Sequence, residues 1–294
     1  MRMLVTGAAG MLGRDVVAAA VARGHEVTGL SRAELDITDP GAVERAIGEA
    51  GPAVVVNCAA WTDVDGAESC ESGALAVNGT AAGTLAGRAT AGGARLVHVS
   101  SDYVFDGSAT APYLESDPVG PVSAYGRTKL AGEEAVLAAA GDHAVVRSSW
   151  LFGAGGRNFV ATMLALADGG REEVSVVIDQ VGCPTYTGHL APALVTVAER
   201  GTGGVHHIAA AGRCSWHELA VETFGRAGLA MRVLVATSAE MARPARRPAW
   251  SVLGSERADP VVLPAWQDGV AAYLDEVGRL EGRAGGVEGE VERR

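Results

Sequence analysis

Thr6-Gly7-Ala8-Ala9-Gly10-Met11-Leu12-Gly13 joins an apolar β-rich run at residues 3–6 to an Ala-rich helical run at residues 12–23. Gly7 permits a tight turn there, Gly10 lets the backbone approach phosphate groups, and Gly13 lets the helix pack closely on the strand. A small-residue turn can also serve packing alone. Its place between a first strand and a first helix is what points to a dinucleotide pyrophosphate.

Outward from this turn, further β-rich runs at residues 26–30, 53–57, 95–100 and 144–148 alternate with helical runs at 40–50, 67–92 and 124–140. This alternation is the βαβ pattern of a parallel sheet. The expected fold is α/β, a doubly wound parallel (Rossmann) sheet with its ligand crevice beyond the carboxyl ends of the strands. Residues 1–150 read as a dinucleotide-binding domain to which later segments can return. After Trp150 the pattern loosens into Gly-rich turns and isolated strands such as 174–178, and residues 151–280 read as a smaller C-terminal substrate-binding lobe. Residues 281–294, Gly- and charge-rich without periodicity, read as a disordered tail.

The 294 residues are 48% hydrophobic, enough for a large core, and carry a formal net charge of -11, which argues against a nucleic-acid surface. Cys58, Cys70, Cys183 and Cys214 show no C-x-x-C spacing, so neither a disulfide framework nor a metal site is indicated. Residues 1–7 run straight into a strand, and no apolar stretch reaches the roughly 20 residues that a bilayer demands. A cytoplasmic protein with no targeting segment and no membrane partner is expected.

At the end of the second strand, where an acidic residue would hold the adenosine ribose, the chain reads Leu30-Ser31-Arg32. Arg32 is placed either to face a 2′-phosphate or to stay in solvent. NADPH should therefore bind at least as well as NADH, with NADH still accepted. Further on, Asp36 is offered to an adenine amino group and Ile37 to the ring face. The plainer reading of that stretch is a helix cap at Asp39-Pro40.

Tyr125-Gly126-Arg127-Thr128-Lys129 puts a phenol and an ammonium on one helix face at i and i+4. An adjacent cation would bring the phenol pKa toward its working range while Lys129 reaches the nicotinamide ribose. Y-x-x-x-K alone is a weak motif. Ser100-Ser101-Asp102-Tyr103 at the end of the fourth strand strengthens it, because a hydroxyl there can bond the same substrate oxygen that Tyr125 protonates. Three other motifs carry less. His217-Glu218 lacks a second histidine and reads as a helix start after Ser215. Asn78-Gly79-Thr80 is a glycosylation sequon without a secretory route, and His206-His207 reads as packing.

These motifs, together with the stretches at residues 34–39, 57–62, 64–65, 100–107, 125–132, 147–150, 158–159, 179–185 and 244–253, resemble the dTDP-4-dehydrorhamnose reductases and their deoxysugar relatives. The resemblance runs to about residue 267. It implies a nucleotide-sugar substrate, with Tyr125 as proton donor, Lys129 as its partner and Ser101, where many relatives have Thr, polarising the ketone. It also implies Gly10, Met11, Leu12, Asp36, Ile37, Ala60, Trp61 and Thr62 lining the cofactor. Asp102, Trp150 and Asn158 fall on the substrate side, and Arg246 and Arg247 are candidates for the diphosphate, by fork geometry as well. Trp61, His189 and Trp250 depart from residues frequent in the family, and they put the identity of the sugar in doubt. A homodimer is left open.

Two other functions compete. A nucleotide-sugar epimerase or 4,6-dehydratase would share the scaffold, but a dehydratase of this type needs an Asp-Glu pair where this chain has Asp102-Tyr103. A non-catalytic nucleotide-binding subunit, like the β-subunit of methionine adenosyltransferase, would bind without turnover. The complete Ser101, Tyr125 and Lys129 set favours catalysis.

Overall fold

The computed structural model describes residues 1–279. Five strands, β1 (Arg2–Thr6), β2 (Glu26–Leu30), β3 (Val54–Asn57), β4 (Arg95–Ser101) and β5 (Ala144–Ser148), are joined by strand Gly204–His207 in one six-stranded parallel sheet. The spatial order is Gly204–His207, β5, β4, β3, β1, β2. The chain steps from β1 outward to β2 and then back across β1 to β3. Strand order therefore reverses between β1 and β3, and the crevice above their carboxyl ends is the topological switch point.

Two-residue periodicity divides the core. Met3, Val5, Val54 and Val56 point to one face, where they pack with Val16 and Ala20 and with Leu190, Leu194 and Val197. Leu4 and Val55 point to the other, against Val43, Ile47, Leu85 and Val136. Burial on both faces is why these strands read as unbroken branched apolar runs. The first face is covered by α1 (Met11–Ala22) and helix Thr187–Arg200. The second carries α2 (Pro40–Ala50), which starts at an Asp39 cap and ends on left-handed Gly51.

The expected helical run at 67–92 is broken into pieces. It comprises α3 (Val64–Ser69), α4 (Glu71–Leu75), a π-helical turn at Ala76–Thr80 and α5 (Ala81–Ala91). Cys70, at φ -142° and ψ 56°, leaves helical geometry between the first two. The last long helix of this half, α6 (Ala124–Ala138), begins at Ser123, whose hydroxyl accepts the Gly126 N–H.

Beyond β5 the chain forms short strand pairs. Glu173–Val177 runs parallel to Arg232–Ala236, Leu151–Phe152 pairs with Thr185–Tyr186, and Val181–Gly182 pairs with Cys214–Ser215. Helices Phe159–Asp168 and Trp216–Arg226 pack beside the first pair around Met163, Val176 and Phe224. Helix Trp216–Arg226 starts at a Ser215–Glu218 capping box, as the sequence suggested for His217-Glu218. Among the described residues no helix is long and apolar enough to cross a membrane. The tail at 281–294 lies outside the described residues.

Candidate active site

The turn between β1 and α1 is built as its glycines require. Gly7 has a φ of +69°, and a Cβ on it would come within 2.7 Å of the Ala59 nitrogen. A Cβ on Gly13 would stand 2.2 Å from the Gly7 carbonyl oxygen. The turn is thus wedged against the loop after β3, and α1 is wedged against the turn. Gly10 caps α1 without a side-chain hydrogen bond, so the first-turn N–H groups of Met11, Leu12 and Gly13 face outward with no acceptor from the helix itself. That bare helix end fits a pyrophosphate. Beneath it the Thr6 hydroxyl donates to Asn57 Oδ1 at 2.6 Å, and Asn57 Nδ2 meets His98 Nδ1 at 3.0 Å. Burial and the Lys129 charge hold His98 well below its ordinary pKa. This neutral network locks the ends of β1 and β3 to the middle of β4.

A carboxylate does stand at the end of β2. Glu34 folds back so that Oε2 accepts both the N–H and the hydroxyl of Ser31, at 2.8 and 2.7 Å, while Arg32 is exposed. Asp36 Oδ1 accepts the N–H and hydroxyl of Thr38, and Ile37 is buried in the core with Leu35 and Val43. The Ile37 side chain supports this corner from inside, with 5% of its surface exposed. The plainer expectation, a cap at Asp39-Pro40, describes this stretch.

On the far side of the crevice, Ala60, Trp61 and Thr62 follow β3. Sequence reasoning passed over the residue that holds them. Asn78, in the π-turn, accepts the Trp61 N–H and donates to the Trp61 carbonyl and to Thr128 on α6. The widened turn aims this buried amide across the gap, and Gly132 lets α6 approach the turn, since a Cβ there would lie 2.1 Å from the Asn78 backbone carbonyl oxygen.

Ser101 and Tyr125 converge from β4 and α6. The Ser101 hydroxyl accepts the Tyr103 N–H and donates to Asp102 Oδ1 at 3.0 Å. Tyr125 packs edge-on to Tyr103 with ring centroids 5.7 Å apart. Burial pushes its phenol up to about 12, against a polar contact with Ser101 that lowers it. Lys129 is 2% exposed and donates from Nζ to the Val99 carbonyl at 2.7 Å. Burial brings it down to about 8, with Glu133 and Cys58 opposing. Lys129 was expected to lower the Tyr125 pKa. In this structure Lys129 is tied to β4 and burial dominates at Tyr125, so the phenol stays protonated at neutral pH, the state that a proton donor needs.

Asp102 is enclosed. Its Oδ2 accepts from Ser149 at 2.9 Å, its Oδ1 from Ser101, and burial lifts its pKa to about 6 against these hydroxyls and that of nearby Ser251. It stands directly under the Ser101 hydroxyl. The Asn158 side chain caps helix Phe159–Asp168. Its Oδ1 accepts the Ala161 N–H and its Nδ2 donates to the Gly153 and Gly156 carbonyls.

A cavity of about 930 Å³ opens between the lobe helices and the 238–249 segment, lined by Phe159, Met163, Val176, Gln180 and Trp216 on its apolar side and by Arg243, Arg246 and Arg247 on the other. Trp150, at a left-handed φ of 48°, stacks on Trp216 with centroids 3.6 Å apart and planes within 2°. Only a glycine at 182 admits its ring, because a Cβ there would approach it to 2.5 Å. Trp216 in turn donates to Gln180 Oε1. Arg246 is exposed and has no side-chain partner among the described residues, whereas Arg247 donates to Asp65 and to the Ala245 carbonyl. Of the departures noted in the sequence, Trp250 donates to the Ala111 carbonyl and His189 packs edge-on to Tyr186; neither lines the cavity.

The sequence model of the family described as the RmlD substrate binding domain matches residues 1–279. A dTDP-4-dehydrorhamnose reductase of Streptomyces griseus is 48% identical across 97% of this chain and 95% of its own length. A dTDP-4-keto-6-deoxy-D-glucose reductase of Streptomyces niveus is 46% identical across 87% of this chain and 89% of its own. The crystal structure of the dTDP-4-dehydrorhamnose reductase of Bacillus anthracis, in complex with NADP, is similar with a TM-score of 0.91 at 33% identity, covering 94% of this chain and 99% of that one.

Proposed function

Because the chain belongs to the RmlD substrate-binding-domain family, we propose that it is an NADPH-dependent reductase acting on the 4-keto group of a dTDP-4-keto-6-deoxyhexose, dTDP-4-dehydro-L-rhamnose or a close relative. The observation that carries this reading is the convergence of the Ser101 hydroxyl and a protonated Tyr125 phenol beside the switch-point crevice. The glycine turn and the uncapped end of α1 fit the pyrophosphate of the cofactor, and Arg32 is free to meet a 2′-phosphate at the end of β2. Reduced nicotinamide, when bound, supplies the hydride.

The chain's own groups then manage the proton. Tyr125 donates to the C4 oxygen as negative charge grows there. Ser101 has one hydroxyl proton, held by Asp102 in this structure. Turned to the ketone, it polarises the carbonyl while Asp102 keeps its bond from Ser149. Lys129, with two ammonium protons beyond the one on Val99, is placed to hold the nicotinamide ribose. Arg246 and Arg247 meet the diphosphate. All four cysteines are free, which suits a reducing cytoplasm.

The test supplies dTDP-4-keto-6-deoxyhexoses, with and without a 3,5-epimerase, and follows consumption of NADPH. Wild type should consume it stoichiometrically, and Tyr125→Phe should lower turnover on the order of 100-fold or more with NADPH affinity nearly unchanged. Turnover needing no added reductant would point to an epimerase or dehydratase.

A further inference from the structure

We propose that Asp65, in the first turn of α3, is a positioning residue for the substrate site, seating the 243–247 segment so that Arg246 faces the diphosphate of the nucleotide sugar. The inference rests on the nucleotide-sugar reading of the cavity. The resemblance to the reductases includes Val64-Asp65 but assigns it no role, and the residue contributes nothing to proton transfer.

One carboxylate gathers three groups from a segment some 180 residues away. Asp65 Oδ1 accepts the Ala245 N–H at 3.1 Å, Oδ2 accepts from Arg247 Nη2 at 2.9 Å, and Arg243 Nη1 lies 3.7 Å from Oδ2. Segment 243–247 needs such a seat. It leaves helix Ser238–Met241 through Ala242 in left-handed geometry, at φ 41°, and carries three arginines within five residues. Their mutual repulsion favours splaying into solvent. The second seat is Gly107, where any Cβ would lie 2.6 Å from Pro248. Between the two seats Ala245 is buried at 3% exposure, and Arg246 is left on the cavity wall without a side-chain partner among the described residues.

Stability alone does not account for the whole arrangement. Against the effect of burial, the pair, with side chains 18% and 25% exposed, helps hold the Asp65 carboxyl below its ordinary pKa and so contributes to folding. That contribution does not require Arg246 to stand unpaired on the cavity wall, whereas a cation held in place contributes directly to anion affinity. The cavity wall also carries Asp106 and Asp179, so the positive charge is local to segment 243–247, where three guanidinium groups stand against the one Asp65 carboxylate. The carboxylate thus fixes the arginines without cancelling them.

The experiment measures equilibrium binding of dTDP and of NADPH to wild type, Asp65→Ala, Asp65→Asn, Arg246→Ala and the Asp65→Ala/Arg246→Ala double variant. Asp65→Ala should weaken dTDP by about tenfold and leave NADPH within about twofold. Asp65→Asn, which keeps an acceptor for the Ala245 N–H, should lose less. Arg246→Ala should cost dTDP affinity in wild type and little more in the Asp65→Ala background. In turnover the loss should appear in KM for the sugar nucleotide and spare kcat. Unchanged dTDP affinity in Asp65→Ala, equal losses for dTDP and NADPH, or strict additivity with Arg246→Ala would each overturn the assignment. A wild type that binds no dTDP would instead sink the nucleotide-sugar reading and this inference with it.

Discussion

Asp102 lies 1% exposed beneath the proton-transfer pair, its two oxygens taken by Ser101 and Ser149. Burial moves its pKa from 3.8 to about 6. Below about pH 4 the carboxyl is protonated in both folded and unfolded chains. Between there and pH 6 the folded chain still holds the proton that the unfolded chain has released, so stability falls as pH rises through this window. Above pH 6 the full cost persists, roughly 3 kcal/mol for a shift of two units. Asp102→Asn removes that cost. Thermal unfolding should show the variant melting above wild type at pH 8, with the gap closing toward pH 4; a gap independent of pH would mean that the buried charge is not its source. The same enclosure keeps the Ser101 hydroxyl pointed at one acceptor until a ketone competes for it.

The β1–α1 turn and α5 show how an element depends on what surrounds its glycines. At Gly13 the obstacle to a side chain is the Gly7 carbonyl itself, and no rotamer change relieves it. Gly13→Ala should destabilise by at least the 1–3 kcal/mol typical of an overpacked site, roughly, and should abolish NADPH binding by pushing α1 off the turn. Gly87 is the opposite case, exposed within α5 with nothing within 4 Å of a built Cβ. Gly87→Ala should stabilise by about 0.5–1 kcal/mol and leave cofactor affinity alone. Denaturant unfolding of both variants, with NADPH titration, checks the pair. If Gly13→Ala bound NADPH normally, the phosphate-cradle reading of this turn would fail.

Across the whole molecule, what was legible in the sequence is what local pattern controls. Strands buried on both faces announce themselves as branched apolar runs, and the runs at residues 3–6 and 144–148 match β1 and β5 to within a residue, while the exposed edge strand β2 at 26–30 is marked by its place between helical runs. The Tyr125 and Lys129 spacing is likewise a property of one helix. What escaped depends on distant segments meeting. Asp102 is enclosed by hydroxyls from residues 101 and 149, Arg247 is held by Asp65, and Lys129 is drawn to the Val99 carbonyl rather than toward Tyr125. None of these pairings leaves a periodic trace. The Asn158 cap is different, because an Asn directly before a helical run is itself a local cap signal. The central claim is net hydride delivery to C4, and isotope transfer tests it most directly. With NADPH deuterated at its transferable position and a dTDP-4-keto-6-deoxyhexose as substrate, the product should carry one deuterium at C4 for each NADPH oxidised; an unlabelled C4, or product formed without net NADPH consumption, would contradict the account.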